Sequence, residues 1–349
     1  MERILVLEDG TWFRGEAVGS DHFRIGSLIF NTAMTGYQEI ITDNANAGSM
    51  VVMTYPLIGA YGINRDDSES LKPTLAGLIV REISDTPSNF RSAETLESYM
   101  KRMDIPGIRH VDTRAIVRHL RTHGTMRAAF CSRETEISDT VAAIKAYVPA
   151  EHPVKTVSTR SIYTIPGRGR KVLMIDYGVS LSMLRLCAAR EYDLIVAPYD
   201  IKAETVLDYH PEGILLSGGP GNPAFLFSQI EAIRKLIGTL PVYGYGLGCE
   251  LLGLACGADL EALPHGHHGP NQAVVDVKAD RVLITRQNHQ YALKAKTLET
   301  AGLNLTFRSL NDGSVEGIEH SEYGCAGIEF DPDEQFFTAF EKAMDKEGH

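Results

Sequence analysis

PVYGYGLGCELLGLACGA, residues 241–258, is the stretch on which the fold turns. Val242 to Tyr245 form an apolar run suited to a buried strand, a glycine-flanked turn follows, and Leu251, Leu252, Leu254 and Ala255 then recur as on a helix face. Strand, sharp turn and helix in that order make a nucleophile elbow, which holds one side chain at the apex of a strained turn where a substrate carbonyl can reach it. The apex here is Gly246, which has no side chain to offer.

Working outward from the elbow, strand and helix alternate from about residue 170, as in a parallel sheet. The spacing predicts strands at Lys171–Asp176, from Leu194 and from Gly213, helices over Leu181–Glu191 and Ala224–Gly238, and a closing strand, Asp331-Pro332-Asp333 turn and helix. Ligands in such sheets bind where strands end. The GGPGNP loop after Ser217 and the elbow at Gly246 both fall at carboxyl ends of predicted strands, so one crevice should be lined by both. The first 150 residues differ. Short β-like runs (LEDGTWF, NTAMTGYQ, TYPLIGAYG) precede a helix with Asp112 as amino cap, Ile116, Val117 and Leu120 on one face, and Gly124 beyond its end. The chain is therefore expected to be α/β, with a mostly β mixed domain over 1–150, a Pro- and Gly-containing linker over 151–169, and a doubly wound domain over 170–349.

Composition narrows the function. Lys and Arg total 34 against 45 Asp and Glu, a formal charge of −11 with no basic run to track a phosphate backbone, so nucleic acid is not an expected partner. No run is long and apolar enough to suggest a membrane span or a signal peptide, and a cytoplasmic protein is expected. The 5 cysteines, Cys131, Cys187, Cys249, Cys256 and Cys325, show no CxxC spacing and point to neither a disulfide framework nor a zinc site.

Over nearly its whole length the chain resembles the small subunit of carbamoyl-phosphate synthetase. The phrases LEDGTWFRGEAVG, FNTAMTGYQEIITD, TYPLIGAYGIN, SNFR and VDTRAIVRHLR are similar to that subunit's own first domain; IDYG, LLSGGPGNP, YGLGCELLGLACGA, HGHHGPNQAVVD and QNHQYAL are similar to a class I glutamine amidotransferase domain. The resemblance implies a glutaminase that passes ammonia through a tunnel to a large, ATP- and Mg²⁺-using partner subunit, with no cofactor in the small chain itself. In that family a cysteine at the elbow apex attacks the glutamine amide, activated by a histidine that a glutamate orients.

Carried over residue by residue, the resemblance places Gly246 at the nucleophile, Asp331 at the histidine and Asp333 at the glutamate. An aspartate, with an ordinary pKa of about 3.9, is a poor proton acceptor near neutrality. Glu250 stands where the family has a substrate-binding glutamine, Gln290 where it has a glycine after Asn288-His289, Ser180 where a lysine or similar residue is expected, and Ala47, or a position near it, for an amino-domain serine. A remnant pocket of Gly219, Gly221, Leu247, Glu250, Asn288, Gln290 and Tyr291 is expected, with no catalytic residue and no metal.

The expected function is thus a non-catalytic small subunit that stabilises or regulates a large subunit making carbamoyl phosphate from bicarbonate, ATP and ammonia, for pyrimidine or arginine synthesis. Two rivals stand beside it: a glutaminase with a displaced nucleophile, Cys249, on the first helical turn, and a stand-alone module binding a small molecule in the old crevice. The run His265-Gly266-His267-His268 is read as a structural Gly-rich loop, and Asp331, Asp333 and Glu334 as a solvated turn favouring the next helix, in each case ahead of metal binding.

Overall fold

The computed structural model describes residues 1–148 and 152–347. Contacts divide the chain into two compact units, Met1–Ala150 with Pro264–Gly269, and Glu151–Leu263 with Pro270–His349. The boundary expected between 150 and 151 falls on residues 149–151, outside the described residues, as do 348 and 349 at the end of the expected second domain.

In the first unit β1 (Glu2–Leu7), β2 (Trp12–Gly19), β3 (Ile25–Asn31), β4 (Ser49–Met53), β5 (Gly77–Ile79), β6 (Pro106–Arg109) and β7 (Met126–Cys131) close into a barrel in the order β1-β2-β6-β5-β4-β3-β7. Alternation sets its two buried faces: Met50 and Val52 pack with Leu28 and Ile79, whereas Val51 and Met53 pack with Ile29 and Leu78. The run NTAMTGYQ, expected to be β-like, instead leads into helix α1 (Tyr37–Thr42). Tertiary anchoring explains the difference, because the Tyr37 hydroxyl donates to the Gly62 carbonyl and the Gln38 amide to that of Asn64, both at 2.6 Å. Helix α2 (Thr113–His123) starts where expected, the Asp112 carboxylate accepting the Ala115 N–H at 2.9 Å.

The second unit is built on β8 (Tyr163–Ile165), β9 (Lys171–Asp176), β10 (Asp193–Pro198), β11 (Gly213–Leu216), β12 (Val242–Tyr245), β13 (Leu260–Asp276), β14 (Arg281–Leu293), β15 (Leu303–Ser309), β16 (Val315–His320) and β17 (Cys325–Ile328). They form one sheet in the order β8-β10-β9-β11-β12-β17-β16-β15-β13-β14, with β10, β9, β11, β12 and β17 parallel. Helices α3 (Leu181–Ala189), α4 (Ala203–Asp208), α5 (Phe227–Leu236), α6 (Leu247–Cys256) and α7 (Glu334–Glu347) cover it. Successive β9 side chains serve opposite faces: Leu173 and Ile175 join the core with α4, α5 and α6, and Val172 and Met174 join that with α3 and α7. The chain leaves β9 for β10 on one side and returns to β11 on the other, a reversal that opens a crevice at the strand ends. Among the described residues no helix is long and apolar enough to cross a membrane.

Three expectations are corrected. Residues 163–165, assigned to the linker 151–169, form an edge strand in register with β10, Tyr163 opposite Val196 and Ile165 opposite Leu194. The segment His265-Gly266-His267-His268, which belongs to the first unit, lies within β13 rather than in a loop. The helix expected over 224–238 begins with a single 3₁₀ turn, Pro223–Phe225, capped by the Asn222 side chain, and becomes α-helical only from Phe227.

Candidate functional site

The elbow is present in full. Gly246, between β12 and α6, has φ 52° and ψ −126°, a conformation that favours glycine. Its N–H donates to the Ile328 carbonyl at 2.8 Å, and its carbonyl accepts from the Cys249 and Glu250 amides at 2.8 and 3.2 Å. The flanking glycines have a separate duty. A Cβ on Gly244 would strike the Gly248 carbonyl, and one on Gly248 the Leu216 carbonyl, so their absence lets α6 cross the sheet at close range. At Gly246 the nearest atom to an added Cβ is the Gly218 Cα, at an ordinary 3.6 Å. The apex has room for a side chain and carries none.

The other walls come from the loops after β9 and β11. Asp176, nearly buried, accepts the Gly178 and Val179 N–H groups on Oδ1 at 2.9 and 2.8 Å and the Thr159 N–H on Oδ2 at 2.6 Å. Burial raises its carboxyl above the usual range, and those three amides partly offset it. Ser217 ties the loops together, its hydroxyl accepting the Tyr177 N–H at 2.8 Å and donating to the Gly218 carbonyl at 2.9 Å. Gly219 packs against the Tyr177 carbonyl, and Gly221, at φ 103°, lies against the Pro153 ring.

β12 and β17 are parallel neighbours with Tyr245 opposite Ile328, so Gly246 and the segment carrying Asp331 share one edge of the sheet. Asp331 is solvent-facing, its side chain 64% exposed and 3.6 Å from the Arg286 guanidinium. Asp333 caps α7, Oδ1 accepting the Phe336 N–H at 3.0 Å, and Glu334 pairs with Arg190. Ser180 caps α3 through the Met183 N–H at 3.3 Å, and Leu247 is core. Ala47 ends a 3₁₀ turn in the first unit. On β14 the alternation separates Asn288 and Gln290 from His289: the Gln290 amide donates to the Leu263 carbonyl at 2.6 Å, while His289 turns inward. Burial, then the charge of Glu250, raises the Tyr291 hydroxyl pKa.

Sequence reasoning missed what lies under the elbow. Glu250 on the first turn of α6, His289 on β14, Glu316 on β16 and Glu329 just past β17 are all buried, with Glu250 3% and Glu329 2% exposed. Glu316 lies 3.5 Å from the imidazole Nε2 and Glu329 3.9 Å from Nδ1. Burial, then Glu250 and Glu316, pushes the Glu329 carboxyl well above the usual range, with the Cys249 thiol partly offsetting; burial does the same to Glu250. Cys249 is fully buried against Gly327, and burial followed by Glu329 pushes its thiol well up. Such a group stays protonated near neutrality and is a poor nucleophile. The signal available in sequence was a charged residue inside two apolar runs, VEGI and GIEF.

Residues 5–130 match the family model described as carbamoyl-phosphate synthase small chain, CPSase domain, and residues 173–343 match glutamine amidotransferase class-I. A carbamoyl phosphate synthase small chain from Oceanobacillus iheyensis is 43% identical over 332 residues, covering 95% of this chain and 91% of that protein. A carbamoyl phosphate synthase pyrimidine-specific small chain from Halalkalibacterium halodurans is 41% identical over 357 residues, covering 100% and 99%. A solved glutamine amidotransferase from Thermotoga maritima aligns with 52% of this chain and 84% of its own at 17% identity and a TM-score of 0.39.

Proposed function

Since this chain belongs to the carbamoyl-phosphate synthase small-chain family, we propose that it serves as a small subunit that no longer hydrolyses glutamine, and that it binds and stabilises or regulates a large subunit using free ammonia. One observation carries the reading: the elbow is intact and its apex has space, yet the residue there is Gly246. The aspartates at the base and orienting positions support it, since Asp331 is out in solvent beside Arg286 and Asp333 is spent on a helix cap. A displaced nucleophile at Cys249 is disfavoured by burial of its thiol among carboxyls. The barrel unit, matched over residues 5–130, favours a subunit over a stand-alone binding module. ATP and Mg²⁺ would be held by the large subunit, in the cytoplasm, for pyrimidine or arginine synthesis; the relative named pyrimidine-specific leans toward the first.

The test uses the purified chain, alone and with a co-expressed large subunit. Glutamate release from glutamine is expected at background, the two chains should co-elute at micromolar concentration, and the complex should form carbamoyl phosphate with ammonium but not glutamine. Glutamine-dependent turnover would refute the nitrogen-donor reading, and separate elution would refute the subunit reading.

A further inference from the structure

Glu250, His289 and Glu329 come from three separate segments of the second unit, and one ligand atom from each lies within 4.8 Å of the others. All three are buried. Oε1 of Glu250 has no hydrogen-bond partner among the described residues, and at Glu329 the Cys249 thiol stands beside otherwise unpartnered oxygens. Burying a carboxylate in this way is costly unless a counter-charge or donors meet it. Protonation would remove the charge but add an O–H that must itself find an acceptor. A cation answers both needs at once.

We infer that these three residues bind one divalent first-row transition ion of the zinc class. The donor set is one imidazole nitrogen with two carboxylate oxygens, which suits zinc and its neighbours better than calcium or magnesium, whose sites are built from oxygen. Ligand atoms around a tetrahedral ion with bonds of about 2.1 Å lie about 3.4 Å apart, so a contraction of at most about 1.4 Å closes the site. Nδ1, the nitrogen 3.9 Å from Glu329, lies 2.7 Å from the Tyr291 carbonyl, so ligation through it requires the imidazole to turn off that carbonyl, while Nε2, 3.3 Å from the Gln287 side-chain oxygen, keeps an acceptor for its proton. Glu316, 3.5 Å from Nε2, adds negative charge beside the site. The expectation of no metal rested on the cysteine spacing, the histidine run at 265–268 and the aspartates near 331; the set Glu250, His289 and Glu329 is a different one, assembled by the sheet.

The full-length chain, freed of metal with EDTA and dialysed, is titrated with Zn²⁺ alone against a chromophoric chelator, and its thermal midpoint is followed in parallel. About one equivalent per chain is expected, with a midpoint that rises with zinc and not with equal Mg²⁺. Glu250→Gln and Glu329→Gln, which keep side-chain shape, should each weaken binding by at least about tenfold. His119→Gln, altering the half-buried His119 that pairs with Asp9 in the first unit, should leave binding unchanged. A folded wild-type chain that takes up no zinc overturns the inference, and that measurement stands even if a variant fails to fold. Equal binding by Glu329→Gln, or loss of binding in His119→Gln, also overturns it.

Discussion

Gly246→Cys separates the elbow's architecture from its chemistry. The added Cβ meets only the Gly218 Cα, at 3.6 Å, so no packing penalty is expected. What remains is backbone strain: φ 52° with ψ −126° is a conformation that a residue with a Cβ adopts at a cost of about 1–3 kcal/mol. With a urea dependence of about 3 kcal/mol per molar for a unit of this size, the midpoint should fall by about 0.3–1 M. Gly248→Ala is the contrast, because its Cβ would overlap the Leu216 carbonyl and β11 or α6 must move; a loss above about 3 kcal/mol is expected. Glutaminase activity should not appear in Gly246→Cys. A thiol with a pKa of about 8.5 is only a few per cent ionised at pH 7, and Asp331, at the base position, offers a carboxylate that favours the neutral thiol. Adding Asp331→His and Asp333→Glu supplies the missing pair but weakens the α7 cap, so any recovered turnover should come with a further drop in midpoint. Coupled measurement of glutamate release and urea denaturation reads both effects. Substantial turnover by Gly246→Cys alone would mean that a base survives in the crevice, and the reasoning from Asp331 would fail.

Three further outcomes follow from the geometry. Cys249 should resist iodoacetamide in the native chain between pH 6 and 8, as read by peptide mass spectrometry, because burial and Glu329 hold its thiol protonated; labelling of Cys249 ahead of the half-buried Cys256 would contradict this. Asp333→Ala should cost about 1 kcal/mol through loss of the α7 cap, whereas Asp331→Ala, which breaks an exposed pair with Arg286, should stay within about 0.5 kcal/mol; urea midpoints distinguish them. Asp176→Asn should cost about 1–3 kcal/mol, because an amide group would face the Thr159 N–H. The pH dependence has a definite sign: burial raises the folded carboxyl above its unfolded value, so the folded chain binds the extra proton and this contribution declines as pH rises from about 4 through the folded pKa. A wild-type advantage over Asp176→Asn that grows with pH across that window would be the wrong sign.

The parallel half of the sheet was legible because its strands are short apolar runs alternating with helix-period segments, and the elbow because glycine punctuates it. Tyr163–Ile165 was read as linker because three residues carry too little pattern to register as a strand; only pairing with β10 identifies it. Tyr37 and Gln38, at the end of NTAMTGYQ, were misread for the converse reason, their helix being held by side-chain bonds to Gly62 and Asn64 more than 20 residues away. In the site, the glycine at the elbow apex and the Asp331-Pro332-Asp333 turn were visible from the motif alone. The company kept by Glu250 was not, since His289 and Glu329 reach it only through strand order and alternation.

The three glycines of the elbow also make position 246 a natural attachment point. Gly244 and Gly248 hold the turn by contacts that an apex side chain does not touch, and the apex itself opens beside Gly218. A cysteine there, the 5 native ones being buried or half-buried, could be coupled selectively to a spin label or fluorophore. The probe would sit at the elbow apex, and its mobility would report directly on whether the crevice fills or tightens when a large subunit, a nucleotide or a metabolite is added. The elbow would then become a gauge of the assembly around it.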